Sequence, residues 1–209
     1  MEGGGSNELS AKKFDKRGAE AKVYFSRLFG IPVVVKRRDP KGYRIGQLDN
    51  ALRSSRNRTE ARSLLAAAEN NVAVPRILHA GRYELIMERK DGRLMKDAKR
   101  ISPSEYRQVG KMLAKLHAAG ITHGDFTPAN VMITGAGPVI IDFGLAIFSK
   151  DNEERAIDLL LMKRSVGKNY ACFVSGYKTL KEWRSVLRKL EEVEKRGRYH
   201  SRKTAKEEE

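Results

Sequence analysis

The chain has 209 residues, a length that suits one large domain or two small ones. Charged residues make up 33% and hydrophobic residues 40%, which excludes a wholly disordered chain, and a chain this long buries roughly 70% of its unfolded surface without needing a staple. The formal net charge of +16 either favours an anionic partner by long-range attraction or reflects the solvated Lys/Glu-rich surface of a heat-adapted protein.

Residues 1–12 read as a flexible, Gly-rich lead that lacks the apolar core of a signal peptide. The stretches Ala19–Phe29 and Ile31–Val35 read as strands, and Asp39-Pro40-Lys41-Gly42 breaks the pattern. Leu48–Glu69 reads as a helix, with Leu48, Ala51, Leu52, Ala61, Leu64, Leu65 and Ala68 forming a partial apolar stripe. Arg76–His79 and Tyr83–Met87 read as two further strands around Gly81. In the second half, Ser102-Pro103-Ser104-Glu105 is a capping box with Pro at the first helical position. Val109, Met112, Leu113 and Leu116 then follow at helical spacing up to Gly120. Val131–Ile133 and Val139–Ile141 flank a Gly-rich hairpin turn. Glu153–Arg164 is one closing helix, and Leu180, Trp183, Leu187, Leu190 and Val193 mark the apolar face of another.

The order of elements predicts an α+β chain with a β-rich lobe over 13–88 and a small helical lobe over 89–195. A charged tail over 196–209 follows, and the lobe boundary falls at Glu88–Gly92. Cys172 is the single cysteine, so neither an internal disulfide nor a Cys-only zinc site is possible. His79, His117, His123 and His200 form no pair at metal-ligand spacing. No apolar run approaches the roughly 18 residues of a membrane span, so no membrane partner and a reducing, cytoplasmic setting are expected.

The chemistry concentrates in His123-Gly124-Asp125-Phe126-Thr127-Pro128-Ala129-Asn130, followed by Asp142-Phe143-Gly144. Asp125 and Asn130 fall on a loop between a helix and a strand, and Asp142 ends the second strand of the hairpin. Two carboxylates and an amide converging there make a hard oxygen site suited to Mg²⁺, which prefers one or two carboxylates completed by phosphate oxygens and water. The remaining ligand would then be a nucleoside triphosphate. Taken singly, Asp142 is also an ordinary strand exit, and Asp125 and Asn130 are ordinary loop-capping types.

In this arrangement the chain resembles the protein-kinase superfamily, and the resemblance implies a compact bilobal kinase-like fold. It implies ATP as substrate with Mg²⁺, Asp125 as the catalytic carboxylate, and Asn130 and Asp142 as metal ligands. Lys36 is identified with the phosphate-holding lysine, and Glu60 with its ion-pair partner, Glu69 being a competing acid on the same helix. Gly18-Ala19-Glu20-Ala21 resembles a reduced phosphate-covering turn, and Met87-Glu88-Arg89 the adenine-holding hinge. Asp158 is either the helix acid that braces the catalytic loop or an exposed carboxylate near Arg155. Gly124 stands where such kinases carry Arg, Thr127 stands where Ser/Thr kinases carry Lys, and no Ala-Pro-Glu segment follows Gly144. Control by a phosphorylated activation loop and a large peptide platform are therefore not expected.

A narrower resemblance rests on Asp39-Pro40-Lys41-Gly42-Tyr43-Arg44 before the helix, on Leu48-Asp49 and Leu52-Arg53, on Arg56–Leu65, on Gly18–Ala21 and on Glu153–Leu160. Over residues 14–203 the chain is similar to the small atypical, RIO-like kinase subunit of the KEOPS (EKC) complex, although Ile45-Gly46 departs from the family's His-Pro. The resemblance implies Ser/Thr kinase and ATPase activity beside a threonylcarbamoyl transferase subunit, and a small regulatory subunit, in a complex that makes the threonylcarbamoyladenosine modification of tRNA. Lys195-Arg196-Gly197-Arg198-Tyr199-His200-Ser201-Arg202-Lys203 is either a solvated tail or a stretch that neutralises tRNA phosphates and stacks on a base. The other reading of His-Gly-Asp is a small-molecule phosphotransferase of the aminoglycoside or choline kinase type, for which the chain after Gly144 leaves little room.

Overall fold

The computed structural model describes the backbone of residues 12–17 and 21–207 and the side chains of residues 21–196. The chain divides into two units, Met1–Arg62 with Pro75–Lys90, and Ser63–Val74 with Asp91–Glu209.

The first unit is built on an antiparallel sheet. Its elements are β1 (Lys12–Arg17), β2 (Lys22–Leu28), β3 (Ile31–Arg37), the helix α1 (Gly46–Glu69) as far as Arg62, β4 (Ile77–Ala80) and β5 (Glu84–Glu88). The strands lie in the order β1-β2-β3-β5-β4. The β-branched run of β3 alternates between faces: Val33 and Val35 are buried together with Ile86 of β5, and Tyr24 and Leu28 of β2 pack against them. Lys36 falls on the opposite face and pairs in register with Leu85. A slip of one residue would turn the valines outward, so burial of Val33 and Val35 fixes the side on which Lys36 emerges.

The helix α1 departs from the expected apolar stripe. Of its members Ala61 and Leu64 are buried, but Leu48 and Leu65 are exposed, and Asp49, Arg53, Asn57 and Glu60 are buried. These four recur at helical spacing, so the face of α1 turned to the sheet is polar and held by hydrogen bonds. Arg53 Nε donates to Asp49 Oδ2 at 2.6 Å and its Nη1 to the Arg38 carbonyl at 3.1 Å. Asn57 Nδ2 donates to the carbonyls of Gly81 and Glu84 at 2.8 and 3.1 Å. The Arg53 guanidinium also lies over the Tyr83 ring, 4.0 Å from its centroid.

The second unit contains β6 (Gly92–Leu94), α2 (Pro103–Ala118), β7 (Ile121–Thr122), β8 (Val131–Thr134), β9 (Gly137–Ile140) and β10 (Ile147–Phe148). The helices α3 (Asn152–Val166), α4 (Tyr170–Tyr177) and α5 (Trp183–Glu207) follow. β6, β8 and β9 form one small antiparallel sheet, and β7 pairs with β10. The capping box at the start of α2 is present in both directions, Ser102 Oγ accepting from the Glu105 N–H and Glu105 Oε2 from the Ser102 N–H. α2 and α4 pack backbone to backbone. A Cβ on Gly110 would collide with the Phe173 carbonyl oxygen, and one on Gly176 with the Arg107 carbonyl oxygen. Leu113, Leu116, Ile121, Phe126, Ile140, Phe143, Leu159, Met162 and Phe173 are fully buried in this unit, each such side chain contributing about 1.5–3 kcal/mol. Strands thus dominate the first part and helices the second, as the sequence leads one to expect.

Candidate active site

In the first unit, Lys36 and Glu60 form an ion pair, with Lys36 Nζ donating to Glu60 Oε1 at 2.6 Å. Both side chains are buried, at 8% and 1% exposure. Glu69, the competing acid on α1, is exposed. The other Glu60 oxygen, Oε2, accepts from Arg38 Nη2 at 2.7 Å. Arg38 was not singled out by the sequence; Asp49, Arg53 and Asn57 lie in stretches that carry the narrower resemblance, but the sequence assigned them no role. The spacing of Arg38 from Lys36 on one face of an extended segment is the signal that could have found it.

Met87 is buried at the end of β5. The Glu88 carboxylate accepts from Lys90 Nζ at 2.8 Å, and that hydrogen bond holds its carboxyl below the usual range. The Glu88 N–H donates to the Arg76 carbonyl and the Arg89 N–H to the Pro32 carbonyl. Both amides of this stretch are therefore engaged within the sheet. Gly18, Ala19 and Glu20 lie outside the described residues, and Ala21 is buried where β2 begins.

In the second unit, the loop 123–130 connects β7 to β8. Asn130 Nδ2 donates to both the backbone carbonyl and the Oδ2 carboxylate oxygen of Asp125, each at 2.8 Å. With both amide hydrogens directed at Asp125, the Asn130 carbonyl Oδ1 is the atom left to ligate a cation. Val131 pairs with Ile140, and the Ile141 N–H donates to the Asn130 carbonyl at 2.9 Å. The hairpin register therefore brings the Asp142 backbone beside Asn130. Asp142 is exposed and has φ of 60°, a left-handed conformation that Asp tolerates better than most residues. Its Oδ1 accepts from the Gly144 N–H at 3.1 Å. Among the described residues no group of three or more His, Cys, Asp or Glu could hold a metal. The donor set of Asp142 and Asn130, beside Asp125, suits a hard cation that completes its shell with phosphate and water.

Asp158 of α3 is fully buried and fastens the loop 123–130. Its Oδ2 accepts from the His123 N–H at 2.7 Å and its Oδ1 from the Gly124 N–H at 2.9 Å. The bracing alternative is therefore the one realised. Gly124 has φ of 77°, and a Cβ there would collide with the Leu145 carbonyl oxygen, so no arginine can occupy the position in this backbone. The His123 ring packs on Phe143, with centroids 5.0 Å apart, and its Nε2 lies 3.1 Å from the Ile141 carbonyl.

Behind Asp158 lies His117, fully buried, with Nε2 3.1 Å from Asp158 Oδ2 and Nδ1 2.8 Å from the Tyr177 hydroxyl. Burial pushes the His117 pKa below its ordinary value, against a smaller opposing effect of the hydrogen bond to Asp158. The folded state thus resists a proton that the unfolded chain accepts below about pH 6.5. The contribution to stability is complete above that pH and is lost as pH falls through it. Denaturant unfolding between pH 7.5 and 5 should therefore show falling stability. His117→Gln, though less stable throughout, should give a slope shallower by up to about 1.4 kcal/mol per pH unit. Equal slopes would show that His117 is not the titrating group.

A RIO-domain family model matches residues 36–177. The KEOPS complex subunit Bud32 of Pyrococcus abyssi is 38% identical over 91% of this chain and 97% of its own length. The chain belongs to the RIO family, in its Bud32 group. The matched segment runs from Lys36 to Tyr177 and so includes Glu60, Asp125, Asn130, Asp142 and Asp158. A probable bifunctional tRNA threonylcarbamoyladenosine biosynthesis protein of Methanothermobacter thermautotrophicus is 38% identical over 88% of this chain. The chain spans about a third of the length of such bifunctional relatives, 36% in that case. Among solved structures, the Rio2 kinase–ADP/Mg²⁺–phosphoaspartate complex of Chaetomium thermophilum superposes with a TM-score of 0.66 at 18% identity, over 93% of this chain and 73% of that one. That likeness shows the fold.

Proposed function

We propose that this RIO-family protein is an Mg·ATP-dependent atypical Ser/Thr kinase and ATPase that serves as a subunit of a KEOPS complex supporting threonylcarbamoyladenosine modification of tRNA. The observation that carries the catalytic part is the pairing of Asn130 with Asp125, which holds the Asp125 carboxylate and leaves the Asn130 amide oxygen as the atom that could ligate a cation. The assembly part rests on the near full-length match to a subunit named for that complex. Asp125 orients the attacking hydroxyl or water, Asn130 Oδ1 and Asp142 hold Mg²⁺, and Lys36, positioned by Glu60, meets the phosphates. Bound Mg²⁺ supplies neutralisation of phosphate charge. Ala21 and the Met87–Glu88 stretch flank the nucleotide. The neighbouring subunits are the threonylcarbamoyl transferase and a small regulatory subunit, and the setting is cytoplasmic.

The backbone of α5 continues as helix to Glu207, so the basic segment is carried on a helix rather than on an extended tail. We assign it to tRNA phosphates. Removing residues 197–209 spares Arg196, whose Nη2 donates to Glu153 at 2.8 Å. The truncated chain should keep basal ATP hydrolysis. The tRNA affinity of the assembled complex should lose about two units of its logarithmic salt slope, as expected for two or three phosphate contacts. An unchanged slope removes the tail from the tRNA interface. The assembly reading is tested by affinity purification from native extract: a co-purifying threonylcarbamoyl transferase supports it, and its absence favours a small-molecule phosphotransferase.

A further inference from the structure

Asn57 is 2% exposed and stands on the polar face of α1, one turn before Glu60. Its Nδ2 donates to the Gly81 carbonyl at 2.8 Å and to the Glu84 carbonyl at 3.1 Å. These carbonyls bound the turn that joins β4 to β5, and the Gly81 N–H closes that turn on the Glu84 carbonyl at 2.9 Å. The same turn holds the end of β3, because the Arg38 N–H donates to the Tyr83 carbonyl at 2.8 Å. Leu85, the next residue along, pairs in register with Lys36. A closed circuit results. The sheet sets Lys36 against Leu85, the neighbouring Glu84 carbonyl accepts from Asn57, and the rigid helix leads on to Glu60, whose Oε1 meets Lys36 Nζ at 2.6 Å. Both partners of the ion pair are placed from the one turn. Asparagine is a poor choice there for stability alone, since its Oδ1 is buried without a hydrogen-bond partner. The amide suits the geometry for another reason. It has two hydrogens for two carbonyls, whereas Ser or Thr has one, ionised Asp has none, and Gln carries its amide a methylene farther out. Both bonds end on backbone, which cannot change rotamer. Two neighbouring grips of α1 on this turn end on a side chain instead: the Tyr83 hydroxyl donates to Asn50 Oδ1 at 3.2 Å, and the Arg53 guanidinium lies 4.0 Å from the Tyr83 ring centroid.

We propose that Asn57 is a positioning residue for phosphoryl transfer, indexing α1 against the β4–β5 turn so that Glu60 holds Lys36 where the phosphates meet it; the proposal rests on the reading of Lys36 and Glu60 as the phosphate-holding pair. The ion pair stays formed throughout. What Asn57 sets is its place. A helix rises about 1.5 Å per residue, so a slide of α1 by a fraction of one residue carries Glu60, and the Lys36 ammonium with it, out of place without breaking the pair. A displacement near 1 Å costs up to about a hundredfold in rate. The two bonds from Asn57 to fixed carbonyls oppose that slide one turn away from Glu60.

The test is Mg·ATP hydrolysis by the full chain, with denaturant unfolding of each protein, in the parent, Asn57→Leu, Asn57→Ser, Glu60→Gln and the double variant Asn57→Leu with Glu60→Gln. Leucine keeps the branched outline of asparagine and removes both donors. At a temperature where it is fully folded, Asn57→Leu should lose about tenfold in kcat/KM, and Asn57→Ser, which keeps one hydrogen, about threefold. Glu60→Gln no longer holds Lys36 by charge, so adding Asn57→Leu to it should lower kcat/KM by less than about twofold further, although stability falls in both backgrounds. A role in stability alone leaves the folded Asn57→Leu at the parent kcat/KM, or lowers it by the same factor in both backgrounds; either result overturns the proposal. Should Asn57→Leu not fold, Asn57→Ser replaces it in the same comparison and is judged in the same way. Should Glu60→Gln not fold, the single variants decide: losses that grow from Ser to Leu in fully folded proteins support the proposal, and parent-like values overturn it. Parent-like turnover in a folded Glu60→Gln overturns the reading of the ion pair and the proposal with it. An impaired Glu60→Gln beside a parent-like Asn57→Leu overturns only the role of Asn57.

Discussion

Asp142→Asn should reduce Mg·ATP turnover by about a thousandfold or more while leaving the protein folded. In the proposed Mg²⁺ site the carboxylate charge would be the largest protein contribution, Asn130 supplying only an amide oxygen, and a thousandfold corresponds to about 4 kcal/mol of transition-state stabilisation. Asparagine is chosen because it also accepts the left-handed backbone that Asp142 adopts at φ of 60°. Its carbonyl can still accept from the Gly144 N–H, which now meets Oδ1 at 3.1 Å. The side chain is exposed, so stability should move by no more than about 0.5 kcal/mol. Initial rates of phosphate release at saturating Mg·ATP, with a denaturant curve for each protein, make the comparison. Turnover at the parent rate would remove Asp142 from the metal site.

Elements whose order is local were legible in the sequence. The β-branched run at Val33–Val35, the capping box at Ser102–Glu105 and the hairpin around Gly135 all have the form their residues imply. The pair Lys36–Glu60 was also legible, although only the resemblance to a known family distinguished Glu60 from Glu69. What escaped notice depends on packing between distant segments. Hydrophobic periodicity assumes that a buried helix face is apolar, and α1 buries Asp49, Arg53, Asn57 and Glu60 before its apolar residues Ala61, Leu64 and Ala67. Its exposed Leu48 and Leu65 misled that test for the same reason. β1 has the sequence Lys-Lys-Phe-Asp-Lys-Arg, with one apolar residue, and becomes a strand through pairing with β2. α4 is short and contains Gly176, a poor helix former, which is placed there because the α2 backbone approaches so closely. Arg38 follows a lysine and an arginine in a chain rich in both, so composition conceals it.

The largest effect on stability is expected at Asp158, where one carboxylate serves three donors from two directions. Asp158→Ala leaves the His123 and Gly124 amides and the His117 ring without their acceptor, two of the three in buried hydrogen bonds. Each orphaned buried donor costs about 1–3 kcal/mol, so three cost about 3–9 kcal/mol, a large share of the 5–15 kcal/mol that holds a domain of this kind folded. Asp158→Asn should be milder. Its one carbonyl can replace Oδ2, which serves His123 and His117, but its amide group then faces the Gly124 N–H, donor against donor. A loss of about 2 kcal/mol follows from one missing hydrogen bond and one opposed pair. The Gly124 N–H stays in place because the loop is also held by the His123 N–H on Asp158 and by the two Asn130–Asp125 hydrogen bonds. The strain therefore passes along the loop to Asp125, whose carboxylate is only one residue further on. Asp158→Asn should for that reason lose turnover even at temperatures where it is fully folded, by about tenfold to a hundredfold, with the KM for ATP little changed. Denaturant unfolding of both variants, with kcat of Asp158→Asn measured well below its midpoint, separates the two effects. An Asp158→Ala protein as stable as the parent would mean that the loop amides find other acceptors. Full turnover in Asp158→Asn would mean that the brace supports the fold without setting the position of Asp125.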